Sequence, residues 1–518
     1  MEVEILLQSY EPAHHCRLPP ANNSTTPTMQ EWIPYDERTK EWSRCEMFIN
    51  SSINNLTTGC RHGWQYENVD LEGPTIVTKW DLVCQRNFFA QVSQTMFVVG
   101  IMVGAIIFTI LGDKFGRKPT YLFAHLGLAL AGCISAFVPN LYLFMFLRFW
   151  IGVFQQGCLL LGFVLVTEFF SADERTLIGI FSANFWAIGC AVLPLLAYIL
   201  RDWVYLQVFI SLSCLLNMPL FCLMPESVAW LYANDKIDET EKILKHAAKV
   251  NKVVLPKIDL HVKHRCSLDG SCLDLEGRDE RTLQKHQAVK YTYLDFVRNK
   301  TMLKHFSISG ILWFFVTLIY YGLSWSTAEL SGDRYLNAFY NGFVEIPAYT
   351  IAYFAVNRFG RKRPCVVFYI IGGTALFSLT FLTNTENFTV LVCSTVLNMV
   401  GKFGTTGAFG IIFLYSAELF PTNLRSQAVG VCSCMGRVST LLASFSTYMA
   451  RMFPTALSLS FACMSILSAV LVMFLPETNH RPLPETIEEI EAWRHVPAVS
   501  MKKAAGVRRM EGSNGEQL

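Results

Sequence analysis

Charge is what this sequence has little of. Lys, Arg, Asp and Glu make up only 16% of its 518 residues, against roughly 25% in a soluble globular protein. Basic and acidic residues nearly cancel, leaving a formal charge of +2, so no overall field recruits nucleic acid. A Walker-type phosphate loop is missing, and with it a nucleotide domain that would spend ATP directly. Ser-His-Asp and zinc constellations are missing too, so the expectation is that the chain is not an enzyme and holds no cofactor or metal. Met1–Ser9, with Glu2 and Glu4, offers no basic n-region and apolar core, so it is not a signal peptide.

What is present is apolar length. Hydrophobic residues are 52% of the chain and aromatic ones 13%. No charge interrupts Phe88 to Leu111 or Ile178 to Leu200, and runs of 18 or more such residues read as transmembrane helices. Eleven runs qualify: 88–111, 120–138, 141–166, 178–200, 203–223, 305–325, 335–356, 365–383, 388–415, 427–449 and 454–475. The expected fold class is an all-α polytopic membrane protein whose partners are the bilayer and a small solute. No signal of oligomeric state is apparent.

Three polar segments stand apart. Residues 1–87 hold Cys16, Cys45, Cys60 and Cys84 together with glycosylation acceptors at Asn22, Asn23, Asn50 and Asn55. An even cysteine count beside dense sequons points to an oxidising, extracellular domain; the four cysteines allow three pairings. The linker 225–304 and the tail 477–518 read as cytosolic. Basic residues gather beside spans on that side (Lys114, Arg117, Lys118; Arg361, Lys362, Arg363; Lys502, Lys503, Arg508, Arg509), as the positive-inside rule requires. Cys266 and Cys272, with His261 and His264 nearby, fit no standard zinc spacing.

The chain repeats itself. Gly112–Pro119 recurs as Asn357–Pro364, Glu168 with Arg175 as Glu418 with Arg425, and Pro225-Glu226-Ser227 as Pro476-Glu477-Thr478, at offsets of 244 (Gly116 to Gly360), 250 (Glu168 to Glu418) and 251 (Pro225 to Pro476) residues. Such a period marks a duplicated half, so 88–224 and 305–476 are expected to form two helix bundles. Two spans precede the Gly-Arg-Lys turn in the second half and one in the first. The expectation is a first helix missing by truncation, leaving about 11 of 12.

These phrases resemble the organic ion transporter family of the major facilitator superfamily. The resemblance is carried by Trp80-Asp81-Leu82-Val83-Cys84, the Gly-Asp-Lys-Phe-Gly-Arg-Lys turn from Gly112, Tyr320-Tyr321-Gly322-Leu323-Ser324 and Val344-Glu345-Ile346-Pro347-Ala348-Tyr349. Ala417-Glu418-Leu419-Phe420-Pro421-Thr422 and Leu475-Pro476-Glu477-Thr478 extend it, so that it covers about residues 14–493. It implies twelve helices in two six-helix bundles and a plasma-membrane location. Val228-Ala229 departs from the Pro-Arg that members often carry. In this setting Asp113, Arg117, Glu168 and Arg175, with Arg361, Glu418 and Arg425, are expected to form charge clusters that lock the bundles in one state and release them in another.

Ionisable residues inside spans are functional candidates because hydrocarbon disfavours them. Arg148 begins a span near a loop; snorkelling to the interface is one reading and a structural role the preferred one. Glu345 lies two residues before Pro347, a bend toward a cavity. Lys402 sits among Gly401, Gly404, Gly407 and Gly410, a pattern of close helix packing; a purely structural Glu345–Lys402 pair is the alternative to a substrate role. The resemblance gives Arg437 most weight, because members that move cations usually carry an acid there and those that move anions or carnitine-like zwitterions an Arg. A guanidinium suits bidentate capture of a carboxylate. Tyr349 stands where many anion transporters carry a second cation. Trp186, Trp313, Tyr320, Tyr321 and Phe409 offer aromatic faces for an ammonium group, with Gln155, Gln156 and Asn184 as weaker polar candidates. The leading expectation is transport of carnitine-like zwitterions or small organic cations by alternating access, with coupling to sodium or a proton left open. An organic anion exchanger is the second reading, and a non-transporting binding or regulatory form the third.

Overall fold

The computed structural model describes residues 10–19, 28–36, 41–49, 56–67, 73–170, 175–219, 224–253, 299–327, 332–382, 387–479, 484 and 490. The acceptors Asn22, Asn23, Asn50 and Asn55 fall outside these residues, as do His261, His264, Cys266, Cys272 and the basic residues of the tail. The side chains of Arg175 and Arg425 are likewise outside the description.

The first polar segment forms a small lobe of three two-stranded antiparallel ribbons. β1 (His14–Cys16) pairs with β6 (Trp64–Tyr66), β2 (Tyr35–Asp36) with β3 (Glu41–Trp42), and β4 (Glu46–Phe48) with β5 (Thr57–Gly59); α1 (Met29–Trp32) is a single turn. Ribbons this short carry little core of their own, and disulfides supply the constraint. Of the three possible pairings the fold selects Cys16–Cys60 and Cys45–Cys84. α2 (Ile76–Trp80) opens on a capping box between Thr75 and Thr78 and docks the lobe on the helices below. Ile76, Val77, Leu82 and Val83 pack with Ala90, Phe144, Met145 and Trp203. Trp80 donates its indole N–H to the Pro139 carbonyl (2.9 Å), and Lys79 lies 4.7 Å from the Trp203 ring centroid. The Trp80–Cys84 phrase is thus a docking motif.

The first bundle contains α3 (Phe88–Phe115), α4 (Arg117–Phe137), α5 (Leu141–Phe169), α6 (Arg175–Leu200) and α7 (Trp203–Leu216). Two shorter helices follow, α8 (Val228–Ala233) and α9 (Ile237–Asn251). The second bundle contains α10 (Lys300–Ser326), α11 (Arg334–Phe359), α12 (Lys362–Leu379), α13 (Phe388–Leu419), α14 (Thr422–Ala443), α15 (Ser446–Met452) and α16 (Pro454–Met473). Among the described residues each apolar run is helical over most of its length, the run 203–223 as far as Leu216 and the run 427–449 with a break between α14 and α15. Seven of the described helices are long and apolar enough to cross a membrane; α11 falls short because Asn337, Asn341 and Glu345 interrupt it. The glycine run on α13 does pack closely: a Cβ on Gly404 would stand 2.5 Å from the backbone N of Gly372 on α12.

The bundles meet at the lobe end. There α6 lies along α11, with the Tyr198 and Tyr335 rings 5.5 Å apart. Gly342 lets the backbones touch, since a Cβ on it would stand 2.6 Å from Ala191 N. On the other side Phe88 stacks on Phe445 at 6.3 Å, and Phe97, Val98 and Ile101 of α3 cluster with Trp325 and Ala443. Of the two readings of Arg148, the structural one fits its place. Arg148 does not snorkel. It stands two turns inside α5 and is fully buried, its guanidinium 5.1 Å from the Phe97 ring centroid of α3; the interface is too far along the helix for the side chain to reach.

Candidate functional site

At the end away from the lobe, each half carries one turn built to the same plan. Gly116 (φ 101°) and Gly360 (φ 88°) adopt positive φ between paired helices, a conformation that only glycine takes without strain. The turn exposes the first backbone N–H groups of the next helix, which attract an anion. In the first half Glu226 accepts from the N–H groups of Arg117 (3.1 Å) and Lys118 (3.2 Å). In the second, Glu477 accepts from those of Arg361 (2.9 Å) and Lys362 (3.1 Å). The repeat flagged both glutamates, yet their partners, backbone amides more than 100 residues away, left no mark in the sequence.

The arginines differ in how firmly they are held. Arg117 pairs with Asp113 at 2.8 Å and stands 3.8 Å from Glu168. Arg361 grips Glu418 with two nitrogens (Nη2–Oε1 2.7 Å, Nε–Oε2 2.9 Å) and donates a third N–H to Asn479 at 2.6 Å. Among the described residues each of these pairs lies within one half; the side chains of Arg175 and Arg425 fall outside the description.

Nearer the lobe, a cavity with room for about one water (≈ 10 Å³) opens between the bundles. Trp186 and Cys190 of α6 face Tyr320, Tyr321, Ser324 and Trp325 of α10 and Asn341 and Glu345 of α11. Glu345 is nearly inaccessible, and its Oε1 stands 2.9 Å from Lys402 Nζ. Lys402 also donates to the Ser324 hydroxyl and to the Tyr320 carbonyl (3.3 Å), and lies 3.3 Å from the Tyr320 ring centroid. Glu345 Oε2 has no hydrogen-bond partner among the described residues. The aromatic wall is tied together: Tyr320 stacks on Phe409 (5.3 Å) and meets Tyr321 edge-on (5.1 Å), while Trp186 donates to the Tyr320 hydroxyl at 3.2 Å. That last bond joins the two bundles.

Arg437 belongs to a different level. Its neighbour Gly436 sits against Trp313 and Thr317, and Trp313 precedes Tyr320 by about 10 Å along α10. The Arg437 side chain is partly buried and donates from Nη2 to Gln156 Oε1 of α5 at 3.4 Å. Trp313 is anchored by its N–H to the Ser416 hydroxyl at 2.8 Å. Tyr349 is buried against Gly410 of α13. Gln155 Oε1 and Asn184 Oδ1 are buried without partners among the described residues. Sequence reasoning placed Trp186, Tyr320, Tyr321, Glu345, Lys402, Phe409 and Arg437 in one site; the structure gathers the first six and sets Arg437 apart, with Gln156 and not Gln155 as its partner. It passed over Asn341, Cys190, Ser324 and Trp325, although Asn341 one turn before Glu345 was a readable signal.

The chain matches the family model described as Major Facilitator Superfamily over residues 87–444. It is 31% identical over 500 residues to an organic cation transporter protein of Drosophila melanogaster, covering 94% of this chain and 88% of that one. It is 31% identical over 504 residues to the human organic cation/carnitine transporter 2, covering 92% and 86%. Among solved structures, a partially occluded, inward-open xylose transporter from E. coli superposes with a TM-score of 0.59 at 18% identity, covering 77% of this chain and 90% of its own.

Proposed function

The chain belongs to the major facilitator superfamily, with relatives among organic cation and carnitine transporters, and from that premise we propose that it moves carnitine-like zwitterions or small organic cations across the plasma membrane by alternating access. The observation that carries the proposal is Arg437, a partly buried side chain between the bundles with a single long hydrogen bond among the described residues. Its remaining N–H groups suit a carboxylate. The ammonium end of the solute has aromatic faces at Trp186 and Tyr321 and the unpartnered oxygen of Glu345. In this orientation the disulfide lobe is outside and the Gly-Arg turns are cytosolic, a reading that the packing of the bundles at the lobe end supports. A cavity the size of one water admits no organic solute, so entry requires the Trp186–Tyr320 contact to part.

A second reading, an organic anion exchanger, is favoured by one observation. Lys402 already neutralises Glu345, which leaves Arg437 as the uncompensated charge. Uptake into vesicles of carnitine, a simple quaternary cation and an aromatic acid, with sodium present or replaced, separates the readings. Saturable carnitine uptake, reduced at least tenfold by Arg437→Ala, supports the first. Uptake of the aromatic acid that carnitine does not inhibit selects the second.

A further inference from the structure

We propose that Gln156 sets the carboxylate selectivity of the site: in the empty site its amide oxygen occupies Arg437, and a solute carboxylate must displace it. This rests on the reading of Arg437 as the carboxylate ligand and assigns a residue of the opposite bundle to control it.

The geometry favours a contact that is meant to be exchanged. Gln156 belongs to α5 in the first bundle and Arg437 to α14 in the second. Each is followed or preceded by a glycine that clamps its helix to its own bundle. A Cβ on Gly157 would stand 2.6 Å from the Phe108 ring of α3, and one on Gly436 would stand 3.0 Å from the Thr317 hydroxyl of α10. Each helix is thus packed closely within its own bundle beside the residue that reaches across. The bond itself, at 3.4 Å, is longer than the usual 2.7–3.2 Å for N–H to O. A neutral amide oxygen is also a weaker acceptor for a guanidinium than a carboxylate is.

The amide can answer either occupant. Its oxygen faces Arg437 in the empty site; turned over, its NH2 group donates to the bound carboxylate. A solute with a carboxylate therefore breaks an inter-bundle bond as it binds, while a simple cation leaves that bond in place. Binding and release of the bundles are then linked through one side chain, since a ligand shifts a conformational balance only by its differential interaction with the two states.

Two substitutions at this one residue should act in opposite directions. With purified full-length protein in liposomes, initial uptake is measured for carnitine and for tetraethylammonium. Gln156→Leu removes the competitor and lowers the KM for carnitine about three- to tenfold. Gln156→Glu supplies a stronger competitor and raises it at least tenfold. The KM for tetraethylammonium stays within about twofold in both. Gln156→Asn, too short to reach Arg437, behaves as Leu does, and melting temperatures in detergent confirm that each variant is folded. Variants that move the carnitine KM in the same direction, or a tetraethylammonium KM that tracks it, overturn the proposal. Wild-type protein that takes up no carboxylate-bearing solute overturns the reading of Arg437 itself and this inference with it.

Discussion

Lys402 Nζ stands 2.9 Å from Glu345 Oε1, with both side chains closed off from solvent. Removing either member leaves the other charge buried and unpaired, which destabilises by about 3–5 kcal/mol. Lys402→Met and Glu345→Met are each expected to lower the melting temperature sharply and to reduce the folded protein recovered in detergent. The double substitution to Met is expected to recover most of that loss, because an apolar pair of similar volume leaves no stranded charge. Melting curves of the three variants check it; a double variant as unstable as the sum of the singles refutes the pairing as the source of the effect.

Gly342 is where α11 touches the backbone of α6. A Cβ there would stand 2.6 Å from Ala191 N and from Cys190 C, and backbone atoms cannot turn aside as a flexible side chain can. Gly342→Leu is expected to wedge the lobe end apart. Overpacking of this kind disfavours the closed arrangement by about 1–3 kcal/mol, enough to move a two-state balance roughly ten- to a hundredfold. Labelling of Cys190 by a membrane-impermeant maleimide on the lobe side should rise several-fold over wild type, with Cys190→Ser as the background control. Unchanged labelling refutes the wedge.

His14 makes the lobe sensitive to acid. It is buried, and burial pushes its pKa below 6.5, against the opposing pull of the Pro12 carbonyl and Glu11. The folded lobe therefore binds fewer protons than the unfolded one. Stability is intact above about pH 6.5 and falls as pH drops below it, by at most about 1.4 kcal/mol for each pH unit. Amide exchange of the lobe followed from pH 7.5 to 5 should show progressive loss of protection, and His14→Gln should flatten the profile. A lobe equally protected across that range in wild type contradicts the prediction.

The span pattern was legible because membrane helices announce themselves by apolar length, and the duplicated turns because their residues repeat at nearly one offset. The pairing of Cys16 with Cys60 was not, since four cysteines carry no local signal of partner. Nor was the partner of Arg148: a structural role was readable, but not the Phe97 ring that a neighbouring helix offers it. Within the site, residue type pointed to Glu345, Lys402 and the aromatic wall. The choice between Gln155 and Gln156 depended on a 100° step around α5, which no composition argument resolves. The split between the cavity and the Arg437 level also arose from how α14 lies on α10, a tertiary fact.

The lobe is joined to the first bundle by a hydrophobic seam and the hydrogen bonds of Trp80 and Lys79. Toward the second bundle it extends Tyr10, whose ring lies 4.1 Å from the Arg334 guanidinium at the start of α11. It is thus a passenger of one half with a fingertip on the other. If the halves tilt against one another, a lobe carried by the first is expected to open the Tyr10–Arg334 contact. A fluorophore pair placed on the lobe and on the first turn of α11 would then read the transport cycle from outside the membrane, without a probe anywhere near the solute path.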